Sequence, residues 1–491
     1  MIENDKVNSA ESNPRRNFLK NTALAAAGFI ILPRYVLGGK GFVAPSDRLV
    51  VAGIGVGGKG ESDIANFFKS GKADIAYLCD VDEKRSATTV KNFPKAKYYK
   101  DWRQMIEKES KNFDAVSVST PDHNHAGPAL AAMQLGKHVY VQKPLAHDVY
   151  EARILTDAAK RYKVVTQMGN QGASGDGVRQ LMEWYDAGKI GNVHTIYSWT
   201  NRPVWPQGIP WSANKAEVPK TLDWDLWLGT APNKDFVEKL VPFNWRGWWD
   251  YGTGALGDMG CHLIEPAFRV LGLQYVMDVQ ASVGTVYVDE FKQGYFPESV
   301  PPSSHVTMNF PKTDKTKGPV KLHWMDGGIQ PDRPEELAAN EQFGDGGNGT
   351  LFIGTKGKMM CSTYGANPRL LPLSRNAEVK VKQKIARVPG GAEGHYAQWV
   401  EGCIAGYGNK EMSSPFDIAG PLTEALCMAN LAIRAHDIRK PRETGTGFNY
   451  PGRNLQLLWD NANMRVTNFD EVNQFVKRKY RPGWSVGELG V

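Results

Sequence analysis

In the stretch GALGDMGCH, Gly254 to His262, a carboxylate and an imidazole stand four residues apart. Apolar Leu263, Phe268 and Leu271 follow, so the segment predicts one continuous helix with Asp258 and His262 on one face near its start. A carboxylate there can orient the imidazole. An imidazole titrates near neutrality, so the pair suits removal of a proton from a substrate hydroxyl. Either residue alone has a plainer use, Asp258 as a helix cap and His262 as a hydrogen-bonded core histidine. Oxidising an alcohol also needs an acceptor for hydride, which a cofactor must supply.

A place for that cofactor is written near the other end of the chain. In RLVVAGIGVGGKGESDIANFF, Leu49 to Ala52 read as a buried strand, and Ile64, Phe67 and Phe68 recur at helical spacing. Between them Gly53-x-Gly55-x-x-Gly58, with Val56 and Gly57 inside it, has the dinucleotide-binding spacing. Gly53 permits the turn, Gly55 lets backbone approach a pyrophosphate, and Gly58 lets helix and strand pack closely. A second strand, ADIAYLCDVD, ends at Asp80, whose carboxylate can accept from ribose hydroxyls and would repel a 2′-phosphate. That favours NAD, while Lys84 and Arg85 keep NADP open. A third unit runs from strand Phe113–Ser119 through helix Ala126–Leu135 to strand His138–Gln142. Such alternation implies a parallel, doubly wound sheet whose strand ends aim Thr120, Pro121, Gln142 and Lys143 at one crevice. Asp122, His123 and His125 read as a loop that touches or packs on the cofactor rather than as metal ligands, with His125 placed among the cofactor contacts.

These motifs, in this order, resemble the glucose-fructose oxidoreductase/inositol dehydrogenase (Gfo/Idh/MocA) family. The residues that carry the resemblance are Gly53 to Gly58, Cys79-Asp80-Val81-Asp82, Thr120 to His125, Gln142-Lys143-Pro144 and Gly254 to His262. It implies an α/β protein: an N-terminal Rossmann domain, then a C-terminal α+β domain with a large, mostly antiparallel open sheet that presents a substrate. It also implies that Lys143, Asp258 and His262 surround the reacting hydroxyl. Lys143 would stabilise developing alkoxide charge beside the nicotinamide, and His262 would serve as base. One departure stands out. The family commonly has Glu-Lys-Pro where this chain has Gln142-Lys143-Pro144, so a role resting on that carboxylate's charge does not transfer.

Between the two motif regions lie Trp199, Trp205, Trp211, Trp224, Trp227, Trp245, Trp248 and Trp249, eight of the 14 tryptophans, on loops rich in Pro and Gly. Aromatic faces stack on sugar rings, and Asn201, Arg202 and Arg246 can bind hydroxyls, which makes Trp205, Trp248, Arg202 and Arg246 candidate substrate contacts. Packing or an oligomer interface accounts for the tryptophans equally well. Gln167, Gly169, Asn170 and Gln171 end a further strand, and Asn170 is the candidate substrate contact among them. His395 precedes an amphipathic helix and reads foremost as a core residue.

The 491 residues are 41% hydrophobic and 23% charged, enough for a sizeable core. A net charge of +7, scattered along the chain, gives no nucleic-acid signature. Five widely spaced cysteines fit neither a disulfide framework nor a zinc knuckle. Near the start, Arg15, Arg16 and Lys20 precede the apolar run Ala23 to Leu32, the layout of an export signal. The order Arg15-Arg16-Asn17-Phe18-Leu19-Lys20 resembles a twin-arginine signal, with Pro14 where Ser or Thr is usual. A cut between Leu37 and Ala44 is expected, leaving no transmembrane anchor.

The expected organisation is a leader over 1–44, a Rossmann domain over 45–168, a substrate domain over 169–440 and a tail over 441–491 that packs on the body. The expected protein is periplasmic and carried across folded by the twin-arginine translocase. It would hold its NAD(P) tightly and recycle it in place, act on a carbohydrate, and form a homo-oligomer. A glycosidase or lyase working through a transient keto-sugar shares the first half-reaction. A non-catalytic sugar-binding protein is the third reading.

Overall fold

The computed structural model describes residues 47–487, and the leader motif lies outside them. From Leu49 onward the chain is one compact unit built on two large sheets. The first is six-stranded and parallel, in the order β3-β2-β1-β4-β5-β6. Its strands are β1 (Leu49–Ile54), β2 (Ala73–Cys79), β3 (Lys97–Tyr99), β4 (Ala115–Val118), β5 (His138–Val141) and β6 (Thr166–Met168). Strand order reverses between β1 and β4, which opens a crevice at their carboxyl ends.

Local sequence explains the first turn of this sheet. Helix α1 (Lys59–Lys69) buries Gly60, Asp63, Ile64 and Phe67 against β1 and leaves its charged face out. Gly55 adopts φ +74°, and a Cβ there would lie 2.7–2.8 Å from the backbone of Ser119 and Thr120. The glycine that lets α1 sit on the loop is Gly60, not Gly58: a Cβ on Gly60 would lie 1.8 Å from the Gly55 carbonyl oxygen. Asp82 caps the next helix, Glu83–Asn92, by accepting from Lys84 and Arg85 amides. That leaves Asp80 free to face the crevice.

The second sheet has nine strands. Its order is Arg369–Leu371, Gly357–Cys361, Gly349–Gly354, β7 (Val193–Trp199), Val320–Met325, Ser304–Phe310, Asp278–Val283, Leu457–Asp460, Arg465–Val466. All pairs are antiparallel except β7 with Val320–Met325. The expected tail therefore does more than pack: it supplies the last two strands. One face of the sheet joins the main core. Part of the other is covered by the chain itself, where Leu337 and Phe343 pack on Trp199, Leu351 and Met360. The apolar helix Phe416–Ala435 is long enough to span a bilayer, yet it is 89% buried and packs on the helix Val149–Tyr162, so it is a core element.

The segment holding Asp258 and His262 is two helices, Gly254–Leu263 and Glu265–Leu271, rather than the single helix expected. Pro266 has no amide hydrogen to return to the His262 carbonyl, which ends the first helix there. All five cysteines are buried and unpaired.

Candidate active site

A cleft opens at the β1/β4 switch point and runs from the glycine loop to the helix Gly254–Leu263. Gly55, Gly57, Asp80, Thr120, Pro121, Gln142, Lys143, Arg246 and Asp258 all line it. Nine residues chosen from separate stretches of sequence are thus brought to one cavity.

At the nucleotide end, Asp80 Oδ2 accepts from the Gly57 amide at 2.9 Å and Oδ1 from the Asp82 amide at 2.9 Å. Burial raises the pKa of this carboxyl, and the backbone donors oppose the rise. Arg85 lies along the same loop, close enough that a Cβ on Gly57 would meet it at 2.6 Å. The Thr120 hydroxyl is buried without a hydrogen-bond partner. A backbone cradle, an acidic strand end and an orphaned hydroxyl in one cleft fit a dinucleotide.

At the other end Lys143 Nζ donates to Asp258 Oδ1 at 2.7 Å and to the Asp258 carbonyl at 2.9 Å. Arg246 Nε approaches the same carboxylate oxygen at 3.4 Å. Burial alone would raise the Asp258 pKa, but the Lys143 and Arg246 cations outweigh it and hold the carboxyl at about 2. Asp258 is therefore an anion at any physiological pH. The expected Asp258–His262 pair does not form, because that carboxylate is turned to the two cations. His262 is buried, does not line the cleft, meets Tyr364 edge-on at 4.6 Å and leaves Nδ1 without a partner. Burial, then the Lys143 charge, pulls its pKa down to about 3, so the ring is neutral.

Other expected contacts fall in three groups. Gly53, Val56 and Gly58 shape the loop without lining the cleft, and His125 braces it by bonding Pro144 O at 2.7 Å and Thr120 O at 2.8 Å. Asn170 is buried with both amide atoms unpartnered and does not line the cleft. Trp205, Trp248 and Arg202 do not line the cleft: Trp205 bonds Gln207, Trp248 packs edge-on to Trp211, and Arg202 bonds Asn201. His395 bonds Met168 O and Ser174, as a core histidine does.

The tryptophan-rich segment lies over the nucleotide end of the cleft. Leu222, Trp227, Val241, Pro242 and Trp245 line the same cavity as the glycine loop. The segment is stitched down through Glu83 N to Thr221 O (3.0 Å), Asp223 N to Val81 O (2.9 Å) and Asn124 Nδ2 to Trp227 O (2.9 Å). The chain's end crosses over it: Arg478 bonds Glu151 and Thr230, and Arg481 bonds Asp225 and the Gly229 carbonyl. The sequence signals for this roof were its aromatic density and the RKYRPGW run, and neither specifies what is covered.

Residues 48–170 match the NAD-binding Rossmann-fold domain of the GFO/IDH/MocA oxidoreductase family, and residues 181–298 match that family's C-terminal α/β domain. The chain belongs to the GFO/IDH/MocA family. Among curated relatives, a glycosyl hydrolase family 109 protein of Shewanella pealeana is 31% identical over 170 residues, 30% of this chain and 37% of that protein. A levoglucosan dehydrogenase of Pseudarthrobacter phenanthrenivorans is 26% identical over 196 residues, 40% of this chain and 42% of that protein. The matched stretches thus span about two fifths of those relatives. The fold is shared with the WlbA dehydrogenase of Bordetella pertussis, solved with NADH and UDP-GlcNAcA. There the TM-score is 0.51 and identity 14%, over 78% of this chain and 95% of that one.

Proposed function

We propose that this GFO/IDH/MocA protein is an NAD-dependent oxidoreductase that dehydrogenates a hydroxyl-bearing carbon of a sugar, polyol or glycoside and keeps its nucleotide bound between turnovers. The observation that carries the reading is the Lys143–Asp258 pair set in the same cleft as the glycine loop and Asp80. A bound nicotinamide supplies the hydride acceptor. The chain's own work is on the hydroxyl oxygen and its proton. An ammonium has three hydrogens, and Asp258 takes two from Lys143, leaving one for a substrate oxygen on which negative charge develops. Asp258, ionised throughout, fixes the direction of that hydrogen. His262, neutral and with Nδ1 unpaired, is the base this reading assigns; it is not among the residues that line the cleft, so the hydroxyl that Lys143 acidifies has to reach beyond that lining to pass it the proton.

The roof supports retention, since Leu222, Trp227 and Trp245 add apolar walls to the same cleft as the glycine loop and Asp80. A leader resembling a twin-arginine signal supports the same reading. Such a route carries folded proteins, so an exported enzyme takes its NAD along and regenerates it by a second substrate or a redox-neutral cycle. The likeness to a family 109 glycosyl hydrolase keeps a second reading alive, in which oxidation is transient and an aglycone is released.

Acid release of nucleotide from the purified protein, then incubation with free sugars and with aryl glycosides without added cofactor, tests both. Conversion of one sugar coupled to reduction of another supports the oxidoreductase. Aglycone release without net NADH supports the glycosidase. A protein that neither contains nor binds NAD overturns both and leaves a sugar-binding role.

A further inference from the structure

Under the floor of the cleft, Asp63 of α1 is fully buried, and three elements converge on it. Lys59 Nζ donates to Oδ1 at 2.5 Å, and Ser119 Oγ at the end of β4 donates to Oδ2 at 2.8 Å. Gln142 Nε2 at the end of β5 donates to the same oxygen at 2.7 Å. Gln142 Oε1 in turn accepts from the Lys143 amide at 3.4 Å. The amide is locked from beneath, because a Cβ on Gly169 would stand 2.6–2.7 Å from its Cδ, Nε2 and Oε1. Neither proton transfer nor hydride transfer, as derived for Lys143, Asp258 and His262, calls on Asp63.

We infer that Asp63 is a positioning residue for Gln142, which lines the cleft, and that this pairing is why the chain carries glutamine rather than glutamate before the lysine. An amide accepts from Lys143 N–H with one atom and donates to a carboxylate with the other at any pH, whereas an ionised glutamate can only accept. A glutamate would place a second anion about as close to Asp63 as the amide nitrogen it replaces, and the two would have to share a proton. The negative charge at this corner therefore sits on α1, and the strand end carries its neutral partner. The inference rests on the cofactor reading for its binding readout only.

The groups around Asp63 are Lys59 on its own helix, Tyr396 on the helix His395–Ala405, and Tyr140 on β5, with Lys143 beyond Gln142. Burial works against the Lys59 charge, but Asp63 and the Tyr396 hydroxyl outweigh it and raise the pKa. Burial first, then Asp63, raises both phenols. Lys59 and the two phenols therefore keep their charge states between about pH 5 and pH 8, and each variant is read against the parent at the same pH, which carries the pH slope common to all of them.

The test is a reciprocal exchange in the full chain. NADH binding is followed by fluorescence and thermal unfolding is measured on nucleotide-free protein, both across that pH range. Gln142→Glu is expected to weaken NADH binding about 10-fold or more near pH 8 and to recover as pH falls and the carboxylates share a proton. Asp63→Asn is expected to weaken it at every pH, with two amides facing each other. In the double variant the amide introduced at position 63 offers its oxygen to Lys59 and its nitrogen to the carboxylate introduced at position 142. Affinity then returns to within about 3-fold of the parent, without pH dependence. The unfolding midpoints follow the same pattern. A double variant no better than the weaker single one, or a Gln142→Glu protein equal to the parent near pH 8, overturns the inference. If the parent binds no NADH, the cofactor reading fails, and the unfolding midpoints alone decide the pairing.

Discussion

The floor and the roof of the cleft are built from opposite materials. The floor is strand ends tied by charged and polar bonds: Asp63, Ser119, Gln142 and Lys143 beneath, Asp80 and Asp258 at either end. The roof is an aromatic cluster of Trp224, Trp227, Phe236, Trp245, Trp248 and Tyr251, pinned at its edges by backbone bonds and by the arginines of the chain's last stretch. Directional bonds hold atoms in place to a fraction of an ångström, and a buried polar group that loses its partner is costly. Apolar packing excludes water but fixes no single atom. The floor is thus suited to placing the reacting groups, and the roof to deciding how long a nucleotide stays.

That division can be broken by mutation. The largest expected effect is at the floor. Lys143→Met should lower turnover about 10²–10⁴-fold while NADH affinity stays within a few-fold, measured by single-turnover kinetics beside a binding titration. A comparable loss of affinity would mean Lys143 serves binding instead. Next comes the roof. Arg481→Ala, which frees the segment at Asp225 and Gly229, should speed nucleotide release about 10-fold with the rate per bound nucleotide unchanged. Trapping released NADH after dilution measures it, and an unchanged release rate would separate the chain's end from retention.

Acid should act on the floor through His262. Its pKa falls from 6.5 to about 3 on folding. Below pH 6.5 the unfolded chain binds a proton that the folded one refuses, so stability drops as pH falls from 6.5 toward 3. His262→Gln should flatten that slope by up to about 1.4 kcal/mol per pH unit, read by denaturant titration. The Asp258 carboxyl shifts the same way, from 3.8 to about 2, so its contribution is lost only as pH falls through that lower range. The smallest effect belongs to Trp205→Phe. Its indole bonds Gln207 and does not line the cleft, so substrate KM should change less than about 3-fold while the unfolding midpoint falls. A large KM effect would return that tryptophan to the substrate.

The floor was legible because its signals are local. A glycine spacing, an acidic strand end and a lysine after β5 are each defined within a few residues, and the parallel order of strands brings their ends together. Asp63 was missed because a single aspartate in a helix has no signature; only its burial and three donors mark it. Pro266 was the overlooked sign that the helix carrying His262 stops, and Arg246 was the available hint that Asp258 would turn toward cations. The tryptophans were visible but ambiguous, since aromatic residues serve sugar stacking and core packing alike.

By itself the sequence determined the dinucleotide fold, the family and the residues at the strand ends, because backbone geometry and alternating elements dictate those from short stretches. Tertiary structure alone decided which partner each charge takes: Asp258 with Lys143 and Arg246 rather than His262, Gln142 with Asp63, and the tryptophan segment with the mouth of the cleft. These are contacts between residues that mostly stand dozens to hundreds of positions apart. Their energies depend on distance, burial and the loss of water, which exist only once the chain has folded.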